Sequence, residues 1–164
     1  MSNGAPLPNV DAMRGLLVSL LDRAVTVTRA NPGQGVTLGP KIVLATYVSD
    51  DNTMPFAIGA DIGFVAGVGA ALAMIPPPVA AEAVKKGEAP ETIAMNAQEV
   101  LNIGASLFNT ASQDALHVRL ERMVNAGKEP ALLKQISTSV RERIDMNVVM
   151  APYPNGKIVV INLK

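Results

Sequence analysis

The apolar positions of this chain change period as one reads along it, and each change predicts a change of element. Val10, Met13, Leu16, Leu17, Leu20 and Leu21 fall on one side of a helix. "AVTVTRA" then alternates apolar with polar residues, as a half-buried strand does, and "NPGQG" is a turn. Two apolar runs, "KIVLATYV" and "PFAIGAD", flank "SDDNTM", a loop rich in turn formers, and read as a hairpin. Next come a Gly/Ala-rich helix over residues 62–75, closed by Pro76, Pro77 and Pro78, and a short helix "VAAEAVKK" with Gly87 as its C-cap. Pro90 opens a longer helix that runs to about Thr110. "LHVRLERMV" reads as a strand, "EPALLKQIST" as a helix opened by Pro130, and "RIDMNVVMAPY" with "KIVVINL" as a hairpin turned by Asn155 and Gly156. About six strands and four or five helices result, with strands gathered toward the two ends of the chain. The fold class is α+β, helices packed on a largely antiparallel sheet.

Composition narrows what such a domain can do. The 164 residues suit a single unit over residues 10–164, preceded by a flexible lead over residues 1–9 that has neither a basic region nor an apolar core of an export signal. A cytoplasmic protein is expected. With no cysteine there is no disulfide, thiolate metal site or thiol nucleophile. Fourteen basic and fourteen acidic residues cancel without a basic cluster, and two Tyr, three Phe and no Trp offer few stacking platforms, so nucleic acid is not an expected partner. The uncharged stretch "IGFVAGVGAALAMI" is shorter than the roughly 20 residues that cross a bilayer, so it predicts a helix packed closely on a sheet. It also lacks the third glycine of a dinucleotide fingerprint. His117 has no second histidine or cysteine nearby to share a metal and reads as a surface or edge residue; Asp50 and Asp51 read as turn chemistry.

The stretch that this composition does not explain is "AMNAQEVLNIGASLFN", residues 94–109. Ile93, Ala97, Val100, Leu101, Gly104, Leu107 and Phe108 lie on one side of the helix, suited to packing on the sheet. Met95, Gln98, Glu99, Asn102, Ala105, Ser106 and Asn109 lie on the other. Glu99 is the only charged residue between Glu91 and Asp114, although exposed helical surfaces are usually dressed with Lys and Glu. Asn is an indifferent helix former, so its use at Asn96, Asn102 and Asn109 gains nothing from propensity. Glu99 and Asn102, three residues apart, project as neighbours from one surface, and a face with so little charge is cheap to desolvate against a partner.

"E-V-L-N", Glu99 to Asn102, with Gly104 in the next turn, resembles the E-x-x-N signature of the CheC, CheX and FliY family of chemotaxis phosphatases. The order of elements resembles the CheX-like branch over residues 10–163. The resemblance implies a protein phosphatase acting on the aspartyl phosphate of a response-regulator receiver domain such as CheY. It assigns Asn102 to orienting a water in line with the phosphorus and Glu99 to pairing with a lysine of the regulator. Met95, Gln98, Ser106 and Asn109 would complete the docking face. A carboxamide suits phosphoryl transfer, which needs positioning and charge stabilisation more than a strong base. Mg2+ would be held by the regulator, leaving this chain without a cofactor of its own.

Two features depart from the family pattern. Met95 stands four residues before Glu99, where the family tends to place Asp or Ser, and Asn125 stands where a proline commonly follows the motif. They keep open a second reading, a catalytically silent CheX-like interaction domain in two-component signalling. The apolar strand "KIVVINL" would be hazardous as a bare sheet edge, which together with the dimers of CheX-like members predicts a homodimer.

Overall fold

The computed structural model describes residues 7–111 and 117–164. Strands β1 (Thr26–Arg29), β2 (Val43–Ser49), β3 (Phe56–Ala60), β4 (Val118–Asn125), β5 (Val140–Val149) and β6 (Gly156–Leu163) pair into one sheet. Its order is β1-β5-β6-β3-β2-β4, and every adjacent pair is antiparallel. Helices α1 (Val10–Leu21), α2 (Ile62–Leu72), α3 (Pro77–Lys86), α4 (Glu91–Ile103) and α5 (Ala105–Ala111) belong to one side of it. Helix α6 (Pro130–Ser139) and the segment carrying Val36 and Ile42 cover the other.

This two-sided cover explains why the inner strands read as continuous apolar runs. In β6, Ile158 and Val160 enter the core beneath α1 to α5, while Val159, Ile161 and Leu163 enter the core beneath α6. A strand with water on one face would alternate polar with apolar residues; one buried on both has no polar face to show. β6 is therefore an interior strand, between β3 and β5, and not the edge that its hydrophobicity suggested. With that, the sheet-edge reason to expect two copies pairing through β6 disappears. The true edges are β1, only four residues long, and β4, whose exposed Arg119, Glu121 and Arg122 blunt it in the usual way.

Asn155 and Gly156 do not form a two-residue turn either. Gly156 already pairs with Val148, so the connection is a longer loop over residues 150–155. The glycine is needed because a β-carbon there would run into the backbone of Phe64 in α2. Gly63 and Gly67 of α2 lie against the carbonyls of Asn155 and Pro154 in the same loop. The Gly-rich helix is thus shaped to a loop as much as to the sheet. It ends at Leu72, before the three prolines, and Pro77 and Pro78 instead begin α3, whose C-cap Gly87 is left-handed as expected.

At the amino-terminal side, residues 1–6 of the lead lie outside the described residues. The remainder is part of the domain: Leu7 packs against the core, Pro8 is buried, and the Asn9 side chain caps α1 by accepting from Ala12 N at 2.8 Å. No helix among the described residues is long and apolar enough to cross a membrane.

Candidate functional site

Helix α4 starts at Pro90, whose fixed φ suits a helix entrance, and places Glu91 in its first turn, where a carboxylate favours the positive end of the helix dipole. Ile93, Ala97, Val100 and Leu101 are all buried, Ile93 against α2 at Gly69, where any larger residue would meet the Ile93 carbonyl. Near its other end α4 is tied to the sheet by the buried Tyr47 of β2, whose hydroxyl donates to the Leu101 carbonyl at 2.6 Å. Burial pushes the Tyr47 hydroxyl well above its ordinary pKa, so it stays protonated and remains a donor.

The helix does not continue to Thr110. It stops at Ile103, and after Gly104 the chain restarts as α5 with a tightened Leu107 N to Gly104 O bond of 3.0 Å. The joint seats Phe108 in the core, stacked on Phe56 at 4.3 Å and tilted against Tyr47 at 4.8 Å. Extrapolating one helical period past Gly104 therefore misplaces two residues. Ala105, expected outward, is buried. Asn109 is half-buried, and its carboxamide is engaged: Oδ1 accepts from Val118 N at 2.9 Å and Nδ2 donates to Val118 O at 3.1 Å. These two hydrogen bonds to the first residue of β4 make Asn109 a structural clasp and engage its amide within the domain.

The residues ahead of the joint keep the expected arrangement. Gln98, Glu99 and Asn102 are exposed, and Met95 is 63% exposed. Ser106 is exposed on α5. Neither the Glu99 nor the Asn102 side chain enters a hydrogen bond or ion pair among the described residues, so both functional groups face solvent. Asn96 instead bonds back to the Thr92 carbonyl at 2.8 Å. Ile103, 36% exposed beside Asn102, adds an apolar element that sequence reasoning did not single out; its place in neither arc of the helix was the available hint.

The other candidates resolve simply. Asp51 accepts from the Ser49 hydroxyl and from Thr53 N and Oγ1, bonds that hold its carboxyl below the usual range, the Ser49 bond foremost. It is turn chemistry. His117 is exposed just before β4. Among the described residues no group of three or more His, Asp or Glu is gathered as a metal site.

No family model matches the sequence, and no curated protein matches it. Solved structures do match in shape. The middle domain of FliM from Vibrio alginolyticus superposes with a TM-score of 0.60 at 14% identity, over 93% of this chain and 88% of that one. CheX from Borrelia burgdorferi, solved in complex with CheY, BeF3 and Mg2+, gives 0.56 at 16% identity over 94% of each chain. FliY from Thermotoga maritima gives 0.57 at 12% identity over 93% of this chain and 82% of that one. The fold is that of CheX, FliY and the FliM middle domain. This CheX/FliY-like fold is the architecture the E-x-x-N resemblance implied, and it is shared across chains whose identity to this one is too low to carry residue roles with it.

Proposed function

We propose that this chain is a phosphatase for the aspartyl phosphate of a CheY-like receiver domain, with Asn102 and Glu99 as its working residues. The observation that carries the reading is the paired exposure of these two side chains on one ordered helix, with no partner of their own among the described residues. An exposed carboxamide can accept one hydrogen bond from a water and donate another, and so hold that water in line with a phosphoryl group without titrating. The water oxygen bonds to phosphorus as the phosphorus–aspartyl oxygen bond breaks, giving inorganic phosphate and a free aspartate carboxylate. Glu99, offset by three residues, pairs with a cation at the rim of the regulator's site, where a carboxylate at position 102 would repel the phosphoryl oxygens. Mg2+ belongs to the regulator in this scheme, and the setting is cytoplasmic.

The test mixes the protein with a panel of phosphorylated receiver domains and follows phosphate release. Asn102→Ala should lower the acceleration at least tenfold, about 1.4 kcal/mol of barrier, while leaving receiver binding in place. Equal acceleration by the variant would refute the assignment. The second reading, a silent interaction domain, draws on the bare Met95 side chain at the position where the family favours Asp or Ser, and on the same fold occurring in FliM, which has been solved in complex with SpeE. Receiver or flagellar-protein binding with no acceleration by the unaltered chain would select it.

A further inference from the structure

Met95 and Gln98 do more than flank Glu99 and Asn102: they also form one wall of a groove of about 800 Å3 between α4, the end of α3 and the β2–β4 side of the sheet. Val65, Val84 and Met123 are among its apolar lining residues. Four lysines converge on it from three separate places, Lys85 and Lys86 from α3, Lys41 from the approach to β2, and Lys128 from the turn after β4. Two carboxylates also line it, Glu88 and Glu91, so positive charge is in excess by two.

Lys85 and Lys86 have an ordinary reason to be where they are, since cations suit the end of a helix. Lys128 closes the short 3-10 turn Ala126–Lys128, and neither it nor Lys41 forms an ion pair among the described residues. Lys86 reaches only Glu82, at 4.0 Å between exposed groups. In a chain whose charges cancel overall, this is a local excess of positive charge beside apolar side chains. We propose that the groove docks an extended acidic segment of another protein, carboxylates meeting the lysine rim and intervening aliphatic side chains meeting the apolar lining residues. Lysines spread over three elements match several carboxylates along a chain better than the single charge centre of a small anion. Because Met95 and Gln98 belong both to this groove and to the exposed residues that flank Glu99 and Asn102, one partner can occupy both. The inference holds whether or not Asn102 takes part in hydrolysis.

The probe is a short acetylated peptide alternating Glu with Leu, titrated into the 15N-labelled full chain, with a peptide carrying Gln for Glu as control. The amides of Ala94, Met95, Gln98 and Met123 should shift, and binding should weaken as salt is raised. Lys41→Glu with Lys128→Glu should reduce affinity about tenfold or more, and the Gln pair at the same positions by a smaller factor. All four changes are on exposed side chains, and the amide spectrum itself reports that the fold is kept. Asn102→Ala should bind the peptide as the unaltered chain does, which separates this proposal from the phosphatase reading. Equal affinity for the Gln peptide, unchanged affinity in the charge-reversed variant, or no binding would each overturn it. The same shifts produced by citrate alone would overturn it in favour of a small-anion site.

Discussion

Helices α2 and α4 lie against each other and are both poor in charge, yet the cause differs. Every residue of α2 from Gly63 to Ala71 is buried, so a charge anywhere along it would be stranded in the core. Its one acidic neighbour, Asp61, is spent at the entrance, accepting from Phe64 N at 2.9 Å and Lys157 N at 3.0 Å. Packing alone dictates that composition. In α4 the same explanation covers Ile93, Ala97, Val100 and Leu101 and stops there. Met95, Gln98, Glu99 and Asn102 are in water, where lysine or glutamate would be tolerated at every position. An uncharged segment that is buried reports a core; an exposed stretch with a single charged residue calls for a reason outside the fold.

Three substitutions would sharpen or break this contrast. The largest effect is expected at the seam between the two helices. Gly69→Ala would drive a methyl group into the Ile93 carbonyl, backbone that cannot yield without moving α4. Urea denaturation should show a loss of about 3 kcal/mol, at the upper end for overpacking. A loss under about 0.5 kcal/mol would mean that the helices are not in close contact there.

A smaller effect belongs to the tie between α4 and the sheet. Tyr47→Phe leaves the Leu101 carbonyl without its donor and should cost about 1–2 kcal/mol. The same residue makes the fold sensitive to alkali. Its folded pKa lies above the unfolded value of about 10, so the stabilisation is complete below that pH and is lost as pH rises beyond it. Circular dichroism against pH should show unfolding of the native protein setting in above about pH 10, and less of this dependence in the Phe variant. The smallest effect is expected on the outward face, where Gln98→Lys should change stability by no more than about 0.5 kcal/mol in the same urea assay. A loss several times larger would put that face inside the fold and remove the contrast.

Much of the architecture was written in the periodicity: the β2–β3 hairpin, the α3 stop at Gly87, the α6 start at Pro130 and the buried side of α4 all stand where pattern and punctuation placed them. What escaped it were facts of tertiary contact. Nothing local distinguishes an apolar strand at an edge from one between two neighbours, which is how β6 was misassigned. Gly156 looks like a turn glycine until Phe64 is seen pressing on it. Gly104 interrupts α4 because Phe108 has a place to reach between Phe56 and Tyr47, and that destination is set by strands far away in sequence. The exposed Glu99 and Asn102 precede the joint and were therefore legible. Asn109 follows it and was not. The lysine-rimmed groove was illegible for another reason: Lys41, Lys85, Lys86 and Lys128 are scattered along the chain, and only the fold gathers them.

The interior position of β6 also has a consequence for how the chain is born. β6 comes after every other described element in chain order, yet it supplies the common neighbour of β3 and β5. On the ribosome, β1–β5 and β3–β2–β4 remain two halves of an unfinished sheet until the residues from Gly156 onward emerge. The halves join only when that strand slides between them, so closure of the sheet is a late, long-range event that cannot begin while synthesis is still short of it.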